Sequence, residues 1–329
     1  MSTTIDVALS RRDFLKRAAG LLVLLGAAPG VLGESLAGLA ATALKDDPGN
    51  FRAIYLDAGL RDEFFLFLQN VFHLYPEAEF HQMIVDLVTK TSSDESVYRA
   101  LLKKLPSLKP AFGDFTYALP ALTKQKDELA RQALVFLGPD PGVNGYLEIG
   151  SPGRYISELR RRVRLSGPVH LIHDSEPSYS ASDIMERGGL AKIGTYHPLG
   201  NYDPFAGPIA ENSLDLVNNF IGFHHCPAER LEGFVASIRR VLRPGGRLLL
   251  RDHDVDRPAR WSMVALAHDV FNAGLLISWE ETHRQVRLFR SMRDWTAYLE
   301  AAGFKRSERL VAQDHDPTKN LLSEFVKKA

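Results

Sequence analysis

The chain has 329 residues, 45% of them hydrophobic and 24% charged, which is typical of a globular protein too long for one small domain. Its 40 basic and 40 acidic side chains cancel, so no overall field attracts it to nucleic acid or to an anionic surface, and we expect no nucleic-acid partner. The single cysteine, Cys226, excludes an intramolecular disulfide and is compatible with a reducing or an oxidising compartment.

Residues 1–43 have the pattern of an export signal. The basic sequence SRRDFLK, residues 10–16, precedes an apolar run from 18 to 32. That run is too short and too interrupted by Gly and Pro for a stable membrane span. An amphipathic N-terminal anchor is the alternative interpretation of the same residues. Small residues at Ala41 and Ala43 predict cleavage before Leu44.

The paired arginines, followed by Phe, Leu and Lys, resemble a twin-arginine signal. The machinery that reads this signal exports folded proteins, so the resemblance implies that machinery as a partner. It also implies a periplasmic or cell-envelope location, with the cytoplasm as the alternative.

Residues 44–140 predict an all-helical cap domain. Apolar side chains recur at helical spacing in 62–73, 79–90 and 122–137. Ser93 or Asp94 can cap a further helix, which we expect to end before Pro106. A cluster of Gly and Pro at 138–142 then separates this region from the C-terminal part of the chain.

The pattern changes at Gly145 to alternating strands and helices. Strands are predicted at 145–149, 169–174, 191–196, 213–219 and 247–252, and helices at 156–165, 182–188 and 227–242. This alternation predicts a parallel α/β sheet with helices on both faces. The loop at 197–212 has no periodicity, and loops of that length are usually functional or mobile.

The turn after the first strand is the main candidate site. Gly150 and Gly153 follow a strand that ends in Glu148, and a helix is predicted to begin near Tyr155. Glycine lets the backbone approach a ligand closely, and a helix N-terminus offers N–H groups. An ordinary strand-to-helix loop would have the same pattern, so the residues downstream decide between the two.

Those downstream residues resemble the class I S-adenosylmethionine-dependent methyltransferases. A second strand ends at Asp174, Asp215 lies in Leu-Asp-Leu-Val, and residues 241–250 read VLRPGGRLLL. An Ala-Gly-Phe turn at 302–304 and two closing strands near 310 and 321–325, expected as an antiparallel hairpin, fit the same family. The resemblance implies a Rossmann-like class I methyltransferase sheet flanked by helices over 141–329. A helical insertion at 256–290, expected to shape an acceptor pocket, would interrupt this domain.

The resemblance also implies S-adenosyl-L-methionine as the cofactor and methyl transfer to a small or medium acceptor as the activity. The residues implied to bind the cofactor follow three strands: Glu148, Gly150, Ser151 and Gly153 in the glycine turn, Asp174 for the ribose hydroxyls, and Asn218 and Asn219 on the methyl-transfer side. In place of the usual Gly-x-Gly-x-Gly the chain has Pro152, which removes a backbone donor. The alternative is therefore an exported, catalytically silent protein of this fold that acts in binding or assembly.

Histidines near the same sheet edge suggest further chemistry. His224 and His225 follow the fourth strand and are weak candidates for a general base or a substrate contact. Together with His253 and His173 they would also suit zinc or iron, but we expect no metal because such His-His pairs occur in the family without one. A nicotinamide-binding domain is a further alternative, and its G-x-G-x-x-G pattern is absent from the sequence.

Overall fold

The structure is a computed structural model that describes residues 49–108, 119–139, 141–205 and 207–329. The predicted export signal at 1–43 lies outside the described residues, as do parts of the predicted cap domain. No helix in the described ranges is both long enough and apolar enough to cross a membrane.

Helices dominate the first part of the described chain and recur between the strands. In chain order they are α1 Asn50–Tyr55, α2 Ala58–Phe67, which continues as a π-helical turn Leu68–Phe72, α3 Glu77–Lys90, α4 Asp94–Leu108, α5 Leu119–Leu137, α6 Ile156–Leu159, α7 Ala181–Arg187, α8 Ala228–Val241, α9 Pro258–Gly274, α10 Trp279–His283 and α11 Met292–Ala301.

Seven strands form one mixed sheet. They are β1 Gly142–Ile149, β2 Arg164–His173, β3 Thr195–Pro198, β4 Leu214–Asn219, β5 Leu242–His253, β6 Phe304–Ala312 and β7 Asn320–Lys327. Their order is β3-β2-β1-β4-β5-β7-β6, with β1 to β5 parallel and β7 antiparallel to both β5 and β6. The predicted α/β sheet and its closing antiparallel hairpin are confirmed. Dinucleotide-binding sheets have the order 3-2-1-4-5-6, so the inserted β7 argues against the nicotinamide alternative.

Each face of the sheet has its own apolar core, because side chains alternate along a strand. Leu147, Val217 and Leu248 pack with α8 and α11 on one face. On the other face, Tyr146 and Leu216 pack with α5. Helix α5 therefore covers the sheet.

A third core lies among the helices. Phe51, Phe64 and Leu101 from α1, α2 and α4 share it with Val270 and Phe271 of α9. Helix α9 belongs to the segment predicted as an insertion, so the insertion and the N-terminal helices bury their apolar faces against each other. The domain boundaries at 43, 140 and 256–290 stay predictions.

Several elements, among them α4, α6 and β2, differ in length from the sequence prediction. Helix α4 continues to Leu108 and contains Pro106, which the sequence places beyond its end. The buried Leu105 holds this last turn, and one proline there removes one backbone hydrogen bond. Helix α6 ends after four residues and not at 165, and strand β2 therefore begins at Arg164, five residues before its predicted start.

Candidate functional site

The candidate site lies where the order of the sheet reverses. Strand β1 pairs with β2 on one side and with β4 on the other, so the connections that leave β1 and β4 diverge above the sheet. In open α/β sheets this reversal opens a crevice at the carboxyl ends of the strands, where ligands bind. Gly150 follows β1 at this point, and Phe220 follows β4.

The glycine turn is organised around the buried carboxylate of Glu148. Its oxygens accept hydrogen bonds from the Tyr146 hydroxyl at 2.9 Å, from the Ser151 hydroxyl and from the Tyr155 N–H at 3.2 Å. Burial raises the pKa of Glu148, and these three donors oppose that rise. Ser151 Oγ also accepts from the N–H of Arg154 at 2.9 Å. Glu148 and Ser151 therefore brace the turn from inside.

These hydrogen bonds use N–H groups that we expect from the sequence to bind a ligand. The sequence predicts that the N–H groups of Arg154 and Tyr155 are available to a ligand at a helix N-terminus. Both are bonded within the turn, and α6 behind them has only four residues. A ligand at this turn would meet glycine backbone and not a helix N-terminus.

Both glycines of the turn have the backbone conformation that favours glycine. Gly150 has φ 83° and Gly153 has φ 94°. A Cβ on Gly150 would overlap Ile221 and lie 2.7 Å from its Cγ2 atom, whereas a Cβ on Gly153 would find ordinary contact distances of 3.6 Å. The connection after β4 thus lies directly on Gly150.

The chain itself covers the rest of the turn. Residues 149–156 are all buried, and the Arg154 guanidinium forms an ion pair with Glu186 of α7 at 3.3 Å. Helix α7 begins at the Ser180 cap, and its Arg187 approaches Gly153. Access to the turn therefore depends on the positions of Ile221 and α7.

Asn218 and Asn219 end β4 with buried side chains on opposite faces of the sheet. The Asn218 amide donates to the Tyr146 hydroxyl at 3.1 Å, and the Asn219 amide donates to the Gly222 carbonyl at 3.2 Å. Each side-chain oxygen, Oδ1, has no hydrogen-bond partner among the residues that the structure describes. Two buried acceptors at the sheet reversal are thus available to a ligand that donates hydrogen bonds.

Asp174 immediately follows β2, as predicted, and its side chain is exposed. It lies at the same edge as the turn, because β2 is the neighbour of β1. In the loop after β3, Tyr202 is buried against Phe234, and Asp203 is paired with Arg230. Asp174 and Asp203 are both exposed, and Asp203 already has an arginine partner.

Beyond Gly222 the same connection enters a cluster of buried histidines. The rings of His224 and His225 have centroids 4.2 Å apart, and His253 at the end of β5 lies 5.1 Å from His224. His224 Nδ1 is hydrogen-bonded to Asp252 Oδ1 at 2.7 Å. His173, expected at the same place, instead hydrogen-bonds the Ser175 carbonyl at 3.0 Å.

Burial controls the charge of these groups. It lowers the pKa of His224 to about 3, with a contribution from Arg251, and it lowers the pKa of His253 to about 3. It also raises the pKa of Asp252 to about 6. The imidazoles are therefore neutral near pH 7, which is the form that binds a metal, and they are weak proton acceptors at that pH. Burial also raises the pKa of Cys226 to about 12, which makes its thiol a poor nucleophile.

His268 completes the cluster and is not predicted by the sequence. It lies in the middle of α9, and its ring is 5.2 Å from the rings of both His224 and His225. Phe289 packs against the cluster, 5.1 Å from His268. The local sequence offers no signal, because His268 has helical neighbours and no strand end beside it. The packing of α9 onto the N-terminal helices brings it to the sheet edge.

The insertion also lines a surface cavity of about 540 Å³. Trp261, Trp279 and Arg287 face it together with residues of α1 and the start of α4. Arg287 is paired at 2.5 Å with Asp269, the neighbour of His268. Met263 and Phe271 of the same segment lie in the helical core. Their apolar side chains serve to pack α9.

Part of the chain matches a known protein family. Residues 147–250 match the family model described as a methyltransferase domain. No curated protein matches the sequence.

Three solved structures illustrate the likeness. A 1,6-didemethyltoxoflavin-N1-methyltransferase of Burkholderia thailandensis, with 1,6-didemethyltoxoflavin and S-adenosylhomocysteine bound, is 15% identical, with a TM-score of 0.43 over 72% of this chain and 92% of its own. The N-methyltransferase NodS of Bradyrhizobium japonicum with S-adenosylhomocysteine is 14% identical, with a TM-score of 0.41 over 70% and 98%. A Haloferax volcanii putative methyltransferase in complex with the activator Trm112 is 16% identical, with a TM-score of 0.44 over 64% and 93%.

The domain match coincides with the candidate site. It begins at Leu147 within β1 and ends within β5, and it contains the glycine turn, Asp174 and the asparagine pair. About a third of the 329 residues, from 147 to 250, therefore match a methyltransferase domain, at the part of the sheet where its strand order reverses.

Proposed function

We propose that this chain transfers a methyl group from S-adenosyl-L-methionine to a small or medium acceptor. The observation that carries the proposal is the methyltransferase-domain match over residues 147–250, which includes the turn at the reversal of a seven-stranded sheet. When bound, S-adenosylmethionine supplies a methyl group activated by a sulfonium. The protein then has to align an acceptor with that methyl and exclude water from the pair.

The described residues fit such a cofactor at three points. Gly150 and Gly153 leave backbone without side chains at the turn, and Asp174 offers an exposed carboxylate for hydroxyl donors. The Oδ1 atoms of Asn218 and Asn219 are buried acceptors that lack partners among the described residues, which suits an ammonium or an amino group.

His224 and His225 are the proposed acceptor-side residues. They lie on the connection that begins at Asn219, so a cofactor held at Gly150 and Asn219 would have the imidazoles on its far side. His225 Nε2 has no hydrogen-bond partner among the described residues. Burial lowers the pKa of this histidine well below its usual range, so its ring is neutral. Such a nitrogen can accept a hydrogen bond from an acceptor hydroxyl, amine or thiol, whereas its lowered pKa makes it a poor general base.

Replacing Asp174 with alanine should weaken binding of S-adenosylmethionine and S-adenosylhomocysteine about tenfold, because one or two hydrogen bonds to a carboxylate are lost. Calorimetry on the purified full-length chain measures this directly. The matched control is Glu176→Ala, because Glu176 is exposed on the same connection and pairs at 3.6 Å with the exposed Lys192. Equal affinities for Asp174→Ala and Glu176→Ala would contradict the assigned role of Asp174.

A specific observation favours the alternative of a silent protein that acts in binding or assembly. Residues 149–156 are buried beneath Ile221 and α7, and Pro152 replaces a donor in the turn. The same calorimetry decides between the two functions. Absence of heat with either ligand, from a protein whose thermal unfolding is cooperative, would leave the silent-domain function and exclude methyl transfer.

We also propose that residues 1–43 direct export through the twin-arginine machinery, which supports a periplasmic or cell-envelope location. The basis is the sequence SRRDFLK ahead of a short apolar run. Changing Arg11 and Arg12 together to Lys should retain the protein in the cytosol, because the machinery reads the arginine pair and not its charge. Fractionation with immunoblotting measures the distribution, and Lys16→Arg is the control. A double variant distributed like the parent chain would refute the proposal.

A further inference from the structure

The histidine cluster contains more unpaired nitrogen than a packed core normally tolerates. His224, His225 and His268 are 3%, 6% and 1% exposed. Nε2 of His224, Nε2 of His225 and both ring nitrogens of His268 have no hydrogen-bond partner within the described ranges. Buried polar atoms are normally paired, because leaving one unpaired is costly. Four such atoms in one place indicate that the protein binds something there.

The three imidazoles are positioned as ligands of one ion. One nitrogen from each lies within 4.8 Å of the other two. Tetrahedral zinc, with Zn–N bonds of about 2.0–2.1 Å, needs nitrogens roughly 3.4 Å apart. Closing this difference requires each ring to move by less than about 1 Å towards a common centre, which small side-chain rotations provide.

The surroundings hold two of the rings in the required orientation. Asp252 bonds Nδ1 of His224 at 2.7 Å, which leaves Nε2 as the free nitrogen. The Asp252 carboxylate is itself fixed by the N–H groups of Phe223 at 2.7 Å and His253 at 2.8 Å. The His225 ring packs against the His224 ring, with centroids 4.2 Å apart. A carboxylate or carbonyl behind a histidine is the usual support of a metal ligand, because it fixes the ring and raises its basicity.

We propose that His224, His225 and His268 bind one divalent transition-metal ion, with zinc as the best fit. Three neutral imidazoles and no direct carboxylate favour zinc over magnesium or calcium, which prefer oxygen ligands. Three protein ligands leave one coordination position for water or for an oxygen, nitrogen or sulfur atom of another molecule. From the sequence we expect no metal, and we propose this site in place of that expectation.

The position of the metal site suggests a role in the proposed methyl transfer. This role rests on that proposed function. The three ligands lie on the connection after Asn219 and on α9, above the carboxyl ends of β4 and β5. An acceptor hydroxyl or thiol bound to the metal would lose its proton more readily. Its lone pair would then form the bond to the methyl carbon while the bond from carbon to the sulfonium sulfur breaks, leaving that electron pair on sulfur. The acceptor proton passes to solvent. The metal would thus select acceptors that bear such an atom.

The test is metal binding by the purified full-length chain, without any methyl donor or acceptor. Protein stripped with a chelator is dialysed against zinc, and the bound metal is counted by mass spectrometry. Cobalt then replaces zinc to report tetrahedral nitrogen ligation in its visible spectrum. We expect about one zinc ion per chain and the intense visible bands of tetrahedral cobalt.

Two variants make the test specific. His268→Leu should abolish both signals, and its metal-free form should unfold at or above the temperature of the metal-free parent, because two unpaired nitrogens are removed. His283→Gln is the control, since His283 is exposed on α10 and bonded to the Trp279 carbonyl, and it should bind like the parent. If His268→Leu fails to fold, His225→Gln replaces it.

Stripped parent protein that takes up no more zinc than the ligand variant would overturn the proposal. Failure of S-adenosylmethionine binding in calorimetry, with zinc bound, would instead contradict methyl transfer and leave the metal site standing.

Discussion

Replacing Gly150 with alanine should destabilise the protein by about 2–5 kcal/mol, a large fraction of the roughly 5–15 kcal/mol that stabilises a typical domain. Two effects add. A φ of 83° costs an alanine about 1–2 kcal/mol, and the new methyl group would overlap Ile221, which costs a further 1–3 kcal/mol, roughly, in a packed interior. Chemical denaturation followed by circular dichroism gives the free energy of unfolding.

Gly138 provides the matched control, because it has the same φ of 83° and no atom within 4 Å of an added Cβ. Gly138→Ala should therefore cost only the backbone contribution, about 1–2 kcal/mol. Combining Gly150→Ala with Ile221→Ala should recover the steric part, since the overlapping side chain is removed. If Gly150→Ala costs no more than Gly138→Ala, Ile221 does not cover the turn.

Glu148→Ala should cost about 2–4 kcal/mol and should abolish cofactor binding at the turn. The substitution leaves the donors of Tyr146, Ser151 and Tyr155 buried without their acceptor, and each such loss costs about 1–3 kcal/mol. Burial of the Glu148 carboxylate is itself unfavourable, as its raised pKa indicates. Removing the carboxylate removes that penalty and offsets part of the cost of the lost hydrogen bonds. Denaturation measures the stability, and calorimetry with S-adenosylhomocysteine measures the binding.

Glu148→Gln should lie between the parent and Glu148→Ala, because its amide keeps one oxygen acceptor. The control is Glu158→Ala. The Glu158 side chain is partly buried, but its partners Arg161 and Arg162 are 72% and 28% exposed and remain solvated without it, so the pairs should contribute about 1 kcal/mol or less. A Glu148→Ala variant as stable as Glu158→Ala would mean that the turn does not depend on its central carboxylate.

Much of the fold follows from local sequence. The β1 and β4 strands are predicted because apolar runs end in Glu148 and Asn218, and the helix at 228–241 follows from its apolar spacing and its Pro227 start. The alternation of strands and helices along the chain then predicts a parallel sheet. The carboxyl ends of its strands lie at one edge, which brings the glycine turn and Asp174 near each other. Local sequence patterns predict these features because the features depend on residues that are close together in the sequence.

Helix ends and short elements follow less directly from the sequence. Helix α6 is predicted to reach 165 but ends at Leu159, and α4 passes through Pro106. In both cases packing outweighs propensity, since β2 pairs with β1 from Arg164 onward and Leu105 is buried in the helical core.

By itself the sequence determined the α/β sheet, the glycine turn, the acid after β2 and two of the clustered histidines, because each is a pattern over a few neighbouring residues. Only the tertiary structure decided that Ile221 covers Gly150 and that His268 joins His224 and His225. Those contacts join residues that are far apart along the chain, and they depend on how α9 and the β4 connection pack. No periodicity encodes that packing, so the third ligand of the candidate metal site, His268, came from the fold alone.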